Sequence, residues 1–281
     1  MASYEATLRE GKKLARRQDK ETSAVEMLFL HFSGLKPTEL YLKFNEEMPE
    51  AAIAQFMDGL DRYICHDCPV QYIIGETLFF GYPITVNESV LIPRFETEEL
   101  VEKVLELADG LFPFQPVKIL DLCTGSGCIA IALKMELPNA LVFASDISQE
   151  ALAVAKKNAT KLQADISFFQ GDLFESLQGE TFDIIVANPP YIPETEKVAK
   201  IILDYEPHLA LFGGRDGLDF YDRILQEAPK YLKHPGFMAF EHAYHAASKI
   251  RGWGQKAFPS AKIYTEQDMQ GKDRMTFIIF Q

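Results

Sequence analysis

Four consecutive residues, Asn188-Pro189-Pro190-Tyr191, follow the apolar run Phe182 to Ala187, and their types point to recognition of a planar polar group. An Asn side chain supplies a carbonyl acceptor. A proline ring locks φ and removes an N–H, so the neighbouring peptide carbonyls point in fixed directions. Acceptors of this kind at a strand end suit an NH2 group, and Tyr191 adds an aromatic face for a flat substrate. A rigid proline turn with a capping Asn has the same composition, so the motif takes its meaning from what stands beside it.

A second cluster, Asp121-Leu122-Cys123-Thr124-Gly125-Ser126-Gly127, reads as the carboxyl end of a buried strand running into a glycine turn and a helix. Gly125 and Gly127 allow backbone conformations and a close ligand approach that a Cβ blocks, and the helix start offers unpaired N–H groups. Asp121 is expected to bind the ligand directly or through water, with Cys123, Thr124 and Ser126 around it. Asp146, at the end of the next strand, can accept hydrogen bonds from both hydroxyls of a ribose. Asp172, at the end of the one after, can reach an adenine amino group with Leu173 beside the ring. Three successive strand ends of this chemistry predict an adenosine-type cofactor. Gly125 to Ala130 also fits the G-x-G-x-x-A dinucleotide fingerprint, which keeps a nicotinamide cofactor as the alternative, and each carboxylate alone can be a helix cap.

Positioning these groups requires a particular order of elements. Residues 1–75 read as a small helical domain, with Ala24, Val25, Leu28, Phe29 and Phe32 at helical spacing and a break at Lys36-Pro37-Thr38. Residues 76–92 read as a β-hairpin connector, with Gly81 and Pro83 near its turn. Residues 93–281 alternate: a helix from Thr97 to Ala108, then strands at 117–123, 140–146, 166–172, 182–188, 236–243, 261–268 and 275–281, with helices at 149–162 and 217–232 among those between. The link Met269 to Arg274 is too short for a crossover, so the last two strands should pair antiparallel. The expected fold class is α/β: a Rossmann-like seven-stranded sheet with an antiparallel final hairpin, the class I methyltransferase variant. In that order Asn188 leaves the sheet beside the cofactor turn.

With these motifs and the upstream LIPRFETEELVE (91–102) together, the chain resembles the PrmC/HemK-type peptide chain release factor glutamine methyltransferases. QYIIGETLFFGYPITV (71–86) is similar to that family's connector, and EPHLALFGGRDGLDFYDRIL (206–225) to the segment after NPPY. The resemblance covers about residues 65–281; the N-terminal helices agree in length and class only. NPPY alone is shared with amino methyltransferases acting on adenine in DNA, and the PR-x-ET segment makes the match more specific. Phe95 departs from a usual proline, and Cys123 from a common glycine.

The resemblance implies transfer of a methyl group from S-adenosyl-L-methionine to the side-chain amide nitrogen of the glutamine in a release factor's Gly-Gly-Gln motif. It further implies that the N-terminal helices grip the release factor. The residue chemistry is compatible. An amide nitrogen is a poor nucleophile because its lone pair is delocalised, so the site must orient the NH2 for in-line attack. The Asn188 side chain and the Pro189 carbonyl can accept its two N–H bonds, Pro190 can stiffen the turn, and Tyr191 can shield the sulfonium methyl from water. None of these is a strong base, so positioning and electrostatics should carry catalysis, with the proton lost to water during or after transfer.

The remaining features bound this reading. A chain of 281 residues, 47% hydrophobic, can bury one sizeable core and a second small one. Its 28 basic and 41 acidic side chains give a charge of −13, which opposes broad attraction to nucleic-acid phosphates. No apolar run reaches the ~18 residues of a membrane span and no targeting peptide is evident, so a soluble, cytoplasmic protein is expected. A monomer is the expected state, although no feature of the sequence fixes it. Cys65 and Cys68 form a C-x-x-C without a second pair and read as reduced packing residues. His242 and His245, at helical spacing, lack a third ligand, and no metal is expected. Gly213-Gly214-Arg215-Asp216-Gly217 lacks the Lys-Ser/Thr of a phosphate loop and reads as a turn before a helix; the resemblance implies that it faces the substrate. Phe79 and Phe80 read as substrate-packing or domain-joining side chains. The competing functions are a ribosomal-protein glutamine methyltransferase, a nucleic-acid adenine methyltransferase, a nicotinamide-dependent oxidoreductase, and a noncatalytic cofactor-binding adaptor.

Overall fold

The apolar residues spaced three and four apart at the start of the chain lie on α1 (Tyr4–Arg17), α2 (Thr22–Ser33), α3 (Pro37–Lys43), α4 (Glu50–His66) and α5 (Val70–Ile74). The structure, a computed structural model, describes residues 2–280; Met1 of the expected helical domain and Gln281 of the expected last strand lie outside them. Ser3 caps α1 by accepting the Ala6 N–H at 3.2 Å. Gly34 and Gly75 close α2 and α5 in the left-handed conformation. Phe29 and Phe56, both fully buried, meet edge to face with centroids 5.3 Å apart. The compact N-terminal unit comprises, of the described residues, 2–76 together with Lys200–Tyr205. The latter segment is a short helix, α9, that the sequence reading did not separate from its surroundings.

The second unit begins at Thr77, inside β1 (Glu76–Phe79), which forms with β2 (Tyr82–Thr85) a two-stranded sheet whose turn residues Phe80 and Gly81 both have positive φ, the backbone that a tight hairpin needs. Phe79 is buried, and Thr85 is latched on both backbone groups by the Asn158 side chain at 2.8 and 3.0 Å.

The large sheet contains β3 (Lys118–Leu122), β4 (Leu141–Asp146), β5 (Ile166–Gln170), β6 (Phe182–Ala187), β7 (Leu232–Glu241), β8 (Lys262–Gln267) and β9 (Asp273–Phe280). Its order is β5-β4-β3-β6-β7-β9-β8, parallel from β5 through β7, with β9 antiparallel to both neighbours. Such strands are buried on both faces, which explains runs as apolar as Ile184 to Ala187. The covering helices are α6 (Phe95–Leu111), α7 (Cys128–Glu136), α8 (Gln149–Leu162), α10 (Asp219–Glu227) and α11 (Ala247–Ala257). Among the described residues no helix is long and apolar enough to cross a membrane.

Several expected boundaries move. The helix expected over 217–232 is only α10, followed by a 3-10 turn at Ala228–Lys230, because Pro229 has no N–H to continue the ladder. β7 starts at Leu232, ahead of the expected 236. α6 starts at Phe95, two residues early, with Glu96 and Glu98 placed where a helix N-terminus favours acids. Cys123, Asp172 and Asn188 lie just past their strands.

Gly11 in α1 tests the N-terminal packing. A Cβ built there would lie 2.7 Å from Phe56 Cζ and 3.1 Å from Val25 Cγ1. Helix propensity alone makes Gly→Ala worth ~1 kcal/mol in the stabilising direction, whereas overfilling a packed core costs about 1–3 kcal/mol. With a fully buried Phe56 opposite, Gly11→Ala is expected to lower the midpoint of urea unfolding of the full chain; a raised midpoint would show that the ring yields.

Candidate active site

Register places the strand ends together. Leu122 is paired with Ala187 on one side and Ser145 on the other, so the chain after each of these residues leaves the sheet side by side. The cleft above is lined by Cys123 to Ser126, Asp146 and Ile147, Asp172 and Leu173, Asn188 and Pro190, together with Arg94, Thr97 and Arg223.

The turn after β3 is held from beneath. Thr124 N–H donates to the Ser145 carbonyl at 3.0 Å, and Gly125 N–H donates to Asp146 Oδ2 at 2.8 Å. The other Asp146 oxygen accepts the Ser148 N–H at 2.9 Å. Burial pushes the Asp146 carboxyl up, and these backbone donors oppose the shift. Each Asp146 oxygen retains a lone pair for a ligand hydroxyl. Cys123 takes φ +61, a backbone that explains why glycine suits this position, and burial holds its thiol well up and therefore protonated. Gly125 has open space where a Cβ would sit, whereas a Cβ on Gly127 would come within 3.0 Å of Ala155 Cβ. Gly127 thus serves helix packing and lies outside the cleft lining.

Asp121 corrects the expectation of a direct ligand contact. It is fully buried behind the turn and absent from the cleft wall. Its Oδ2 accepts the Thr124 hydroxyl at 2.6 Å and the Ala130 N–H at 3.1 Å, and Oδ1 has no partner. It therefore clamps the turn to α7.

Asp172 and Leu173 do line the cleft. Asp172 pairs with Arg223 at 2.6 Å, and Leu173 is buried at φ +51. An apolar wall with a few polar atoms, among them the unpartnered Ser145 Oγ, fits an adenosine-type group.

Of the NPPY residues, Asn188 and Pro190 face the cleft; Pro189 is buried and, with Tyr191, lies outside the lining. The expectation of Tyr191 as an open aromatic face is corrected: its half-buried ring packs on the core and its hydroxyl lies 3.4 Å from Glu241 Oε1. The glycine loop is a buttress for this turn. Ile192 N–H donates to the Leu211 carbonyl at 2.9 Å, Gly213 N–H to the Ile192 carbonyl at 3.0 Å, and Glu194 N–H to the Gly214 carbonyl at 3.0 Å. A Cβ on Gly213 would lie 2.4 Å from the Pro190 oxygen, and one on Gly217 2.2 Å from the Tyr191 oxygen.

Sequence reasoning missed other groups. Asn158 donates to the Ser126 carbonyl at 3.0 Å while latching Thr85; its only signal was a polar residue on the apolar stripe of α8. Arg94 pairs at 2.5 Å with Glu206, and Thr97 accepts the Asn188 side-chain N–H at 3.2 Å. The PR-x-ET motif pointed to Arg94 and Thr97 without assigning them roles.

His242 follows β7 and stands on no helix. Its ring is bonded to Thr276 Oγ1 at 2.8 Å and the Ala243 carbonyl at 2.9 Å, and burial lowers its pKa to about 4. Among the described residues no cluster of three His, Cys, Asp or Glu could hold a metal.

Burial pushes Asp121 up to about 7, against an ordinary value of 3.8. The native state therefore binds more protons than the unfolded chain between those values. Asp121 contributes stability that is full below its unfolded pKa and is lost as pH rises through 7. Asp121→Asn, which mimics the protonated carboxyl, is expected to flatten the fall in stability between pH 4 and 7 in denaturation series. An unchanged slope would contradict this assignment.

Comparison with known proteins agrees with this architecture. The chain matches the PrmC N-terminal domain over residues 6–75 and the methyltransferase small domain over 100–209. It is 37% identical over 281 residues to a release factor glutamine methyltransferase of Bacillus anthracis, covering 99% of each chain. It is 44% identical to that of Flavobacterium psychrophilum, covering 89% of this chain and 88% of the relative. Among solved structures, the hMettl16 catalytic domain with a 3'UTR hairpin superposes with a TM-score of 0.57 at 13% identity, covering 83% of this chain and 81% of that one. The T. thermophilus 16S rRNA methyltransferase RsmC in complex with AdoMet and guanosine gives 0.53 at 16% identity, covering 73% and 50%. These structures share the class I methyltransferase fold. By its near-full-length identity to those relatives, the chain belongs to the release factor glutamine methyltransferase family.

Proposed function

We propose that the chain transfers the methyl group of S-adenosyl-L-methionine to the side-chain amide nitrogen of the glutamine in the Gly-Gly-Gln motif of peptide chain release factors. The observation that carries this reading is the Asn188 amide, whose nitrogen is committed to Thr97 and whose carbonyl is left for the cleft beside the cofactor turn. When bound, S-adenosyl-L-methionine supplies an electrophilic sulfonium methyl. Thr124, Gly125 and Ser126 would hold it at the turn with Cys123, Asp146 would take its ribose, and Asp172 with Leu173 its adenine. Asp121 and Gly127 would act by shaping that turn.

The Asn188 carbonyl and the Pro189 backbone carbonyl would accept the two N–H bonds of the substrate amide and aim its lone pair. Holding a weak nucleophile in one attack geometry can supply several kcal/mol of the barrier. Neither acceptor is a strong base, so the proton leaves to water during or after transfer. Pro190 and Tyr191 keep the turn rigid. Residues 1–75 would grip the release factor, with 76–92 joining them to the catalytic domain 93–281. A charge of −13 favours a protein partner with a neutral or basic surface over nucleic acid. We place this activity in the cytoplasm, in a monomer.

Methylation assays with a purified release factor, a ribosomal protein and DNA test the substrate; transfer to DNA alone would overturn the reading. In the same assay Asn188→Ala is expected to lower kcat about 100-fold. Its cofactor Kd should stay within roughly threefold of wild type, because the lost contact is to the substrate amide. Equal turnover in wild type and variant would contradict the assignment.

A further inference from the structure

The carboxylate of Glu241, at the end of β7, is buried. Its Oε2 accepts the Thr97 hydroxyl at 2.6 Å. The Tyr191 hydroxyl reaches its Oε1 at 3.4 Å, and the Tyr221 hydroxyl fixes its backbone carbonyl at 2.7 Å. Thr97 Oγ1 in turn accepts Asn188 Nδ2 at 3.2 Å. One carboxylate is therefore joined to both ends of the NPPY turn.

We infer that Glu241 is a positioning residue that, through Thr97, sets which way round the Asn188 amide sits. This inference rests on the proposed transfer to a glutamine amide. An ionised carboxylate can only accept hydrogen bonds, and a threonine hydroxyl has one proton to give. Thr97 gives that proton to Glu241 and keeps only lone pairs for Asn188. Asn188 must then turn its NH2 toward Thr97 and its carbonyl toward the cleft. In the opposite orientation two N–H donors would confront the donors of the incoming amide, and the acceptor would be lost. Burial pushes the Glu241 carboxyl up and the nearby Glu96 carboxylate adds to this, while the Thr97 hydroxyl, the Arg274 guanidinium and the Tyr191 hydroxyl pull the other way; the Thr97 hydroxyl is the donor in the bond between them. Arg274 is itself held by Asp268 at 3.1 Å. The same carboxylate draws in the Tyr191 hydroxyl, which accounts for a tyrosine turned inward where the sequence reading gave its aromatic face to the substrate.

The test is steady-state kinetics and cofactor titration of Thr97→Val, Thr97→Ser, Glu241→Met and the double variant Thr97→Val/Glu241→Met, with a purified release factor as methyl acceptor. Thr97→Val leaves the amide free to turn over, and Glu241→Met frees the Thr97 hydroxyl either to accept from the Asn188 NH2 or to donate to its carbonyl. Each should lower kcat about tenfold or more while cofactor Kd stays within about threefold of wild type. The double variant should be no slower than the slower single variant, because both changes act through one bond. Thr97→Ser, which keeps the hydroxyl, should restore kcat to within about threefold of wild type. A role in folding alone would lower the melting temperature without this kcat pattern. Should the Glu241 variants not fold, the Thr97 pair decides: a slow Val variant with an active Ser variant supports the relay, and equal rates overturn it. Absence of transfer by the wild type overturns the proposed function and the relay with it. Transfer by wild type and variants alike overturns the relay alone.

Discussion

The site depends on a backbone-to-backbone contact in which the carbonyls of Pro190 and Tyr191 rest against the α-carbons of Gly213 and Gly217. Any Cβ at those glycines would fall 2.4 and 2.2 Å from the two oxygens, inside the distance that atoms tolerate. The same two loops are joined by a short ladder at Ile192 and Phe212 and by the bond from the Glu194 N–H to the Gly214 carbonyl. With proline rings removing freedom on one side and glycines removing bulk on the other, the turn after β6 has few alternative conformations. A weak nucleophile needs such a frame, because acceptors that move cannot hold an amide in line with a leaving group.

The same economy governs the cofactor half. Polar groups are buried here in ways that are costly unless satisfied, and each one satisfied is a loop fixed in place. Asp121 clamps the turn to α7, Asp146 holds Gly125, and Asn158 ties Ser126 to the β1–β2 hairpin. Cys123 keeps its left-handed backbone inside this net, and Phe95 in the place of a proline is accommodated as the first residue of α6. Fixed dipoles need little rearrangement when charge redistributes, which is the form of catalysis open to a site without a strong base.

Much of this was legible in the sequence, and the reason is the parallel sheet. Strands covered on both faces read as apolar runs, and the polar residues that stop them, Asp146 and Asn188 among them, fall at the edge where ligands bind. The antiparallel β8–β9 hairpin followed from a link too short to cross over. What failed was direction and pairing. Spacing identifies Asp121 as a strand-end acid but does not say whether its side chain faces ligand or helix. The same holds for the ring of Tyr191. The bond from Thr97 to Glu241 spans 144 positions, which no local pattern encodes. The end of α10 moved because Pro229 breaks the ladder inside a stretch whose apolar spacing still looks helical. His242 fell inside the expected strand 236–243, and its i, i+3 spacing with His245 has no helix behind it, because β7 ends at Glu241 and α11 starts only at Ala247.

The central claim is that this cleft methylates the glutamine of a release factor, and the most direct measurement is mass spectrometry of the Gly-Gly-Gln peptide of release factors from cells with and without this protein. The glutamine should carry one methyl group on its side-chain nitrogen when the protein is present and be unmodified when it is absent. The same methylation state in both would contradict the claim.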